Sequence, residues 1–405
     1  MLIELNLLRR RPVQGALAAI CVALAITACG GGGSSDSGAT GTAFASGPIT
    51  GFGSVILNGV RFDDKNASVT DDDGVSHRND ELRLGMMAEI ESAGILSDDS
   101  GSHATATSIR FGSEIVGPVM SVAADGSSLV VLGETVQVNA ATLFDDRLVG
   151  GLTALVAGTS VVEVHAVLDV ATGVYTATRI EPKSNAAFYK LRGVVSNIDK
   201  TAHTFRIGNG TETISYDAIV GAVPATLDNG LLVRVRLQTT EVGGQWIAVT
   251  VANAVRKLED HDEAELEGAI TATTFAADKK FSVNGIPVDA SNATFPDGTT
   301  GIVLGAHVEV HGTSSNGTVV ASRVEVEDHA RRHAEGFELH GAITAIDTTA
   351  QTFVLRGVTV AYGGAGAEFR NGTAAQLAVG VRVEARGTLS ADGTMLQATR
   401  ISFGD

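Results

Sequence analysis

From Gly47 onward the chain is written largely in two-residue alternation of apolar and polar positions. Val308-Glu309-Val310-His311-Gly312 and Val381-Arg382-Val383-Glu384-Ala385 show it most clearly, and Val161-Val162-Glu163-Val164 follows the same scheme. Successive side chains of a strand point to opposite faces, so this period predicts strands with one buried face and one wet face. The runs come in pairs across tight turns. Val55-Ile56-Leu57 and Val60-Arg61-Phe62 flank Asn58-Gly59, and Phe281-Ser282-Val283 and Ile286-Pro287-Val288 flank Asn284-Gly285. Phe353-Val354-Leu355 and Val358-Thr359-Val360 flank Arg356-Gly357 in the same way. Asn-Gly between apolar runs is a strong hairpin signal, because both turn residues need positive φ.

These elements repeat. A glycine followed by Ile or Val opens each unit: Gly47-Pro48-Ile49, Gly117-Pro118-Val119, Gly193-Val194-Val195, Gly268-Ala269-Ile270 and Gly341-Ala342-Ile343. The intervals between leading glycines are 70, 76, 75 and 73 residues. After the hairpin comes a Leu-Gly stretch (Leu84-Gly85, Leu304-Gly305, Leu377 to Gly380), and Thr373 to Leu377 predicts one helical turn. Two strands close the unit, the last reading Ala177-Thr178-Arg179-Ile180, Ala321-Ser322-Arg323-Val324 or Ala398-Thr399-Arg400-Ile401.

A unit thus holds about five strands, with a short turn or helix between the third and fourth. That order predicts an all-β tandem array of about five small OB-like five-stranded β-barrels. Closure also removes the exposed edges of so many strands. Open β-sandwich modules are the alternative. The expected modules are 47–112, 113–183, 186–257, 264–327 and 337–405, with a charged linker at 328–336. An elongated rod that flexes at this linker is the expected arrangement.

The N-terminus changes the picture. Arg9, Arg10 and Arg11 precede an apolar stretch from Ala16 to Ala28, too short to span a bilayer but suited to an export signal. It ends in Ile26-Thr27-Ala28-Cys29, and Gly30-Gly31-Gly32-Gly33-Ser34-Ser35 follows as a flexible spacer. These residues resemble the lipobox of bacterial lipoproteins. The resemblance implies a signal peptide over 1–28 cut between Ala28 and Cys29. It also implies a diacylglyceryl group with further acylation (palmitate) on Cys29, and a tether over 29–46. Gly30 stands where Asp often retains such proteins in the inner membrane, so the outer membrane is the expected address, on its periplasmic side or at the cell surface.

Charge and cysteine content narrow the function. The chain has 29 Lys and Arg against 46 Asp and Glu. Removing residues 1–28, with three Arg and Glu4, leaves 26 against 45, a formal charge of −19. That argues against nucleic acid as a partner. Cys21 lies in the signal and Cys29 at the lipid, so no disulfide is expected.

Candidate chemistry is sparse. His329 and His333 stand four apart in His329-Ala330-Arg331-Arg332-His333 and share a face if helical. They are weak metal candidates, with Asp328, Glu335 or His340 as a third ligand, and the stretch otherwise reads as a charged linker. His307 and His311 lie about 13 Å apart on a strand and cannot share an ion. Asp71-Asp72-Asp73-Gly74 lacks the alternation and closing Glu of a calcium loop and reads as a polar turn. Glu259-Asp260-His261-Asp262-Glu263 reads as a solvated linker. No nucleophile elbow, phosphate loop or His-Glu-x-x-His occurs, so no catalytic residue or cofactor is expected.

The opening from Gly47 to Asp63 looks like the start of proteobacterial envelope proteins built from tandem copies of the domain of unknown function 5666. Gly341 to Phe403 looks like a full copy, and the second and third units diverge more. The resemblance implies an envelope address and no activity. The expected function is a lipid-anchored, non-enzymatic envelope protein whose repeated modules bind or adhere to a glycan or an envelope protein. A structural spacer or assembly factor docking another envelope protein is the alternative, and a cell-wall-acting enzyme is a third.

Overall fold

The computed structural model describes residues 41–98, 101–219, 223–255, 258–327, 336–364, 366–390 and 393–404. Cys29 with the cleavage position Ala28, and the His329/His333 pair, lie outside the described residues. Among the described residues no helix is long and apolar enough to cross a membrane.

The second unit shows the scheme. Strand Ile115–Val122 pairs antiparallel with Ser128–Val131 on one side and Val161–Asp169 on the other. Ser128–Val131 pairs with Glu134–Gln137, which runs parallel to Val174–Pro182. Val174–Pro182 returns antiparallel to Val161–Asp169 and closes the barrel. First, second, third, fifth and fourth strands therefore follow one another around an OB-like ring. The same ring runs from Thr42–Pro48 to Gly101–Gly112 and from Tyr189–Asp199 to Trp246–Asn253. It recurs from His261–Thr273 to Thr318–Val326 and from Phe337–Ala342 to Met395–Phe403.

Sequence explains the ring locally. Asn58 and Gly59 have φ of 50° and 74°, and Asn284 and Gly285 have 49° and 86°, as the hairpins require. Each of these Asn side chains folds back on the opening strand: Asn58 Nδ2 donates to Ser46 O and Asn284 Nδ2 to Glu267 O, both at 3.1 Å. That contact is why the next residue is glycine. A Cβ on Gly47 would stand 2.6 Å from Asn58 Oδ1, and one on Gly268 2.0 Å from Asn284 Nδ2. The fourth and fifth strands share a register shift at one recurring place, between Glu91 and Ser92, His165 and Ala166, Arg236 and Leu237, His311 and Gly312, and Arg386 and Gly387. A bulge there sharpens the twist that closes so small a barrel. One 3-10 turn links third and fourth strands at Asn79–Glu81, Gly151–Ala154 and Ala374–Gln376, the last with a Thr373/Gln376 capping box. The fourth unit instead carries its helical turn, Phe275–Asp278, between first and second strands.

The units are not strung as a rod. Residues 43–46 run parallel to 263–266, and Gly51 and Phe52 run parallel to Glu338 and Leu339. The first barrel therefore joins the fourth and the fifth, while Ile115 and Val116 pair with Leu191 and Lys190 to join second and third. The cores follow this pattern. One apolar cluster serves the second and third barrels, another the first and fifth, and the fourth has its own, with Phe44 from the first barrel inside it. The expected rod would keep sequence neighbours as spatial neighbours; backbone hydrogen bonds between distant strands overrule that.

Two expected boundaries move for the same reason. The opening strand starts at Thr42, inside the expected tether, and the fourth unit starts at His261. Asp262 and Glu263 are not a solvated linker: they accept from the backbone N–H of Thr42 and Ile95 at 2.9 and 3.0 Å.

Candidate functional site

Each barrel presents one outward face of its first, fourth and fifth strands, and the register sets six side chains on it in two rows of three. In the fourth barrel the rows are Glu267, Glu309, Glu325 and Glu265, His311, Arg323. In the fifth they are His340, Glu384, Ser402 and Glu338, Arg386, Arg400. In the third they are Arg192, Arg234, Ala252 and Lys190, Arg236, Thr250. The second barrel repeats the fourth in Glu163 beside Glu181 and His165 beside Arg179.

Most of these faces hold other barrels. In the third, Lys190 Nζ lies 2.9 Å from Asp72 Oδ1 and also pairs with Asp73, while Arg234 reaches Asp72 at 3.0 Å and Arg236 pairs with Asp73. Asp71-Asp72-Asp73-Gly74 is indeed a turn, with Asp71 Oδ1 accepting from Asp73 N and Val75 N. It is also the first barrel's plug on the third. Burial pushes the Asp73 carboxyl up, but hydrogen bonds from Lys190 and Arg236 outweigh it and hold the group below its ordinary value. In the second barrel, Arg179 donates to Leu84 O at 3.3 Å and His165 Nδ1 lies 2.7 Å from Gly112 O, both on the first barrel. In the fifth, Glu338 takes Arg61 of the first barrel at 2.5 Å, and Arg386 at 2.9 Å. Arg192 joins three units: it pairs with Glu114 at 3.1 Å and donates to Asn284 O at 2.6 Å.

The fourth barrel differs. His311 Nδ1 lies 3.3 Å from Glu265, its Nε2 lies 3.2 Å from Glu309, and Arg323 pairs with Glu325. All these partners belong to the same barrel. The Arg323 side chain is 50% exposed, against 6% for Arg179 at the equivalent place. Hydrogen bonds to Glu265 and then Glu309 push the His311 imidazole up to about 10, so it carries charge at neutral pH. Glu309, His311 and Glu325 each bring one donor atom within 4.8 Å of the others, as do Glu338, His340 and Glu384 in the fifth barrel. Such a His/carboxylate set suits a divalent cation. In the fifth barrel Arg61 and Arg386 already supply the positive charge.

A cavity of about 500 Å³ opens beside this face where four units meet. Glu267, Glu309 and Glu327 line one side, and Arg61, Phe337 and Arg386 another. A second buried titratable group lies elsewhere, at the contact of second and third barrels. Glu134 is 2% exposed, and burial, then the nearby Glu212, pushes its carboxyl up to about 8.

Strand spacing separates His311 from His307, four positions away, so that pair carries no site. The partners that matter sit two positions along the strand and directly across it. The period-two run Val308-Glu309-Val310-His311 carried half of that signal; the register supplied the rest.

No curated protein matches the chain. The family model described as "Domain of unknown function (DUF5666)" matches residues 116–181, 267–325 and 340–402. The second barrel, expected to diverge, is among these segments. The boundaries fall on the second, fourth and fifth rings, from the opening strand to the last, so one copy of the domain is one closed barrel. This chain carries the domain of unknown function DUF5666 in each of those three segments.

Proposed function

We propose that the chain is a lipid-anchored, non-enzymatic envelope protein, tethered through Cys29 to the outer membrane, whose β-barrels form a platform for binding or adhesion. The ligand is a glycan or another envelope protein. The observation that carries this reading is where the charged side chains go. Lys190, Arg192, Arg234, Arg236 and Arg61 are all engaged across barrel boundaries, which holds neighbouring barrels in fixed relation. A platform of fixed faces suits recognition, since less freedom is lost when a ligand binds. Ile26-Thr27-Ala28-Cys29 and the glycine tract behind it support the tether.

The test combines palmitate labelling with protease shaving of intact cells. Label should enter the wild-type chain and be lost in Cys29→Ala, and the variant should leave the membrane fraction. An unlabelled wild-type chain, or a Cys29→Ala chain still in the outer membrane, would sink the tether. Digestion in intact cells would put the platform at the cell surface, and digestion only after lysis would put it in the periplasm. A spacer or assembly factor is the second reading, favoured by the first barrel's own habit of docking through loops and strands. A reproducible co-purifying protein with no signal on a glycan array selects it.

A further inference from the structure

We infer that the outward face of the fourth barrel, built from Glu265, Glu309, His311, Arg323 and Glu325, is a docking surface for an arginine-bearing segment of a partner protein. Equivalence among the barrels carries the argument. The same two-row face in the second barrel receives the first barrel at Leu84 and Gly112. In the third it receives Asp72 and Asp73, and in the fifth it receives Arg61. The occupant's charge opposes the face each time the contact is ionic: aspartates on the Lys/Arg rows of the third barrel, an arginine on the Glu338 side of the fifth. In the fourth barrel the ion pairs of these five residues stay within the face among the described residues.

Its charge names the occupant. Glu265, Glu309 and Glu325 outnumber Arg323 and a protonated His311. Two of the carboxylates, Glu309 and Glu325, stand directly opposite one another on neighbouring strands, where like charges repel. A guanidinium lying over that pair would relieve the repulsion and could bond two carboxylates at once. Arg61, which pairs with Glu338 and lies 3.3 Å from His340, is the example within this molecule, presented from a β-hairpin.

The inference rests on the binding-platform reading, but its test reads neither the lipid nor cellular location, so each can fail alone. The full chain in detergent is titrated with a fluorescent hexa-arginine peptide at physiological salt. The His311 ring signals are followed by NMR, with the exposed His203 as internal reference. Binding should move His311 and leave His203 still. Glu309→Gln with Glu325→Gln should weaken the peptide by about tenfold, while Asp217→Asn with Asp228→Asn, equal in charge and surface-exposed in the third barrel, should change it less than twofold. Circular dichroism melting confirms that both variants fold, and Glu325→Gln alone should give an intermediate loss. Equal loss in both pairs would show general attraction to an acidic protein and overturn the proposal. So would an unmoved His311, or a calcium or zinc titration that saturates the face and displaces the peptide, which would make it a metal site.

Discussion

A single buried carboxyl gives this protein a defined response to pH. Glu134 titrates near 8 in the folded chain, against about 4.5 when unfolded. Between those values the folded state holds a proton that the unfolded state has released. The stability this group contributes is therefore greatest below about pH 4.5, falls by up to about 1.4 kcal/mol per pH unit as pH rises to about 8, and is level above that. Glu134→Gln should remove this slope. Urea unfolding at pH 5 and pH 8.5 should show wild type and variant close together at the lower pH and the variant clearly more stable at the higher one. The same gap at both pH values would mean that Glu134 is ionised in the folded protein. Nothing in the sequence flags this residue: Glu134 follows Gly133 in a hairpin, where a carboxylate normally faces water. It is buried because the third barrel comes down on it, with Gly210 so near that a Cβ there would stand 2.1 Å from Glu134 Oε1.

At the scale of elements, the legible parts were those fixed by neighbours in sequence. Asn58-Gly59 and Asn284-Gly285 announce their hairpins, and the alternation in Val308-Glu309-Val310-His311 announces both the strand and which residues share its outer face. The short turn 71–74 was legible as a turn and not as a plug, because its partners Lys190, Arg234 and Arg236 lie more than a hundred positions away and only the folded register brings them together. The His329/His333 pair was picked out by helical spacing, which has no bearing on a period-two face, and so the Glu309/His311/Glu325 set went unseen. The plug makes a specific prediction. Asp72→Asn keeps the shape of the turn but removes the charge shared by Lys190 and Arg234. The Asp72 side chain is 4% exposed and that of Lys190 14%, so the loss should be on the order of 3 kcal/mol. Asp80→Asn, whose side chain is 68% exposed, should cost less than about 0.5 kcal/mol. Chemical denaturation of the two variants decides it; equal, small effects would show that the plug is a surface contact only.

For the whole molecule the question is whether the barrels are independent beads. Small barrels without disulfides or metal are marginal alone, and here the remedy is shared packing. Phe52, Leu57 and Phe62 of the first barrel belong to one apolar cluster with Leu339, Phe353 and Leu396 of the fifth, although nearly three hundred positions separate them. Ending the chain after Gly336 removes the fifth barrel, the last in sequence. In a string of beads the remaining four would melt as before. In this molecule the truncation strips partners from the first barrel's strand Gly51–Phe52 and unpairs Arg61 from Glu338. The first barrel should then unfold at least 5 °C earlier, about what a loss of 1 kcal/mol or more produces in a domain of this size. The second and third barrels keep a core of their own and lose only the contacts the first barrel makes on them, so they should melt after it and move down less. The single tryptophan, Trp246, lies in that core, so its fluorescence reports the third barrel while circular dichroism reports all of them. Truncation should therefore split two melting curves that run closer together in the full chain: the circular dichroism transition moves down further than the tryptophan transition. Both staying in place would restore the string of beads, and both moving together would mean that the separate cores unfold as one.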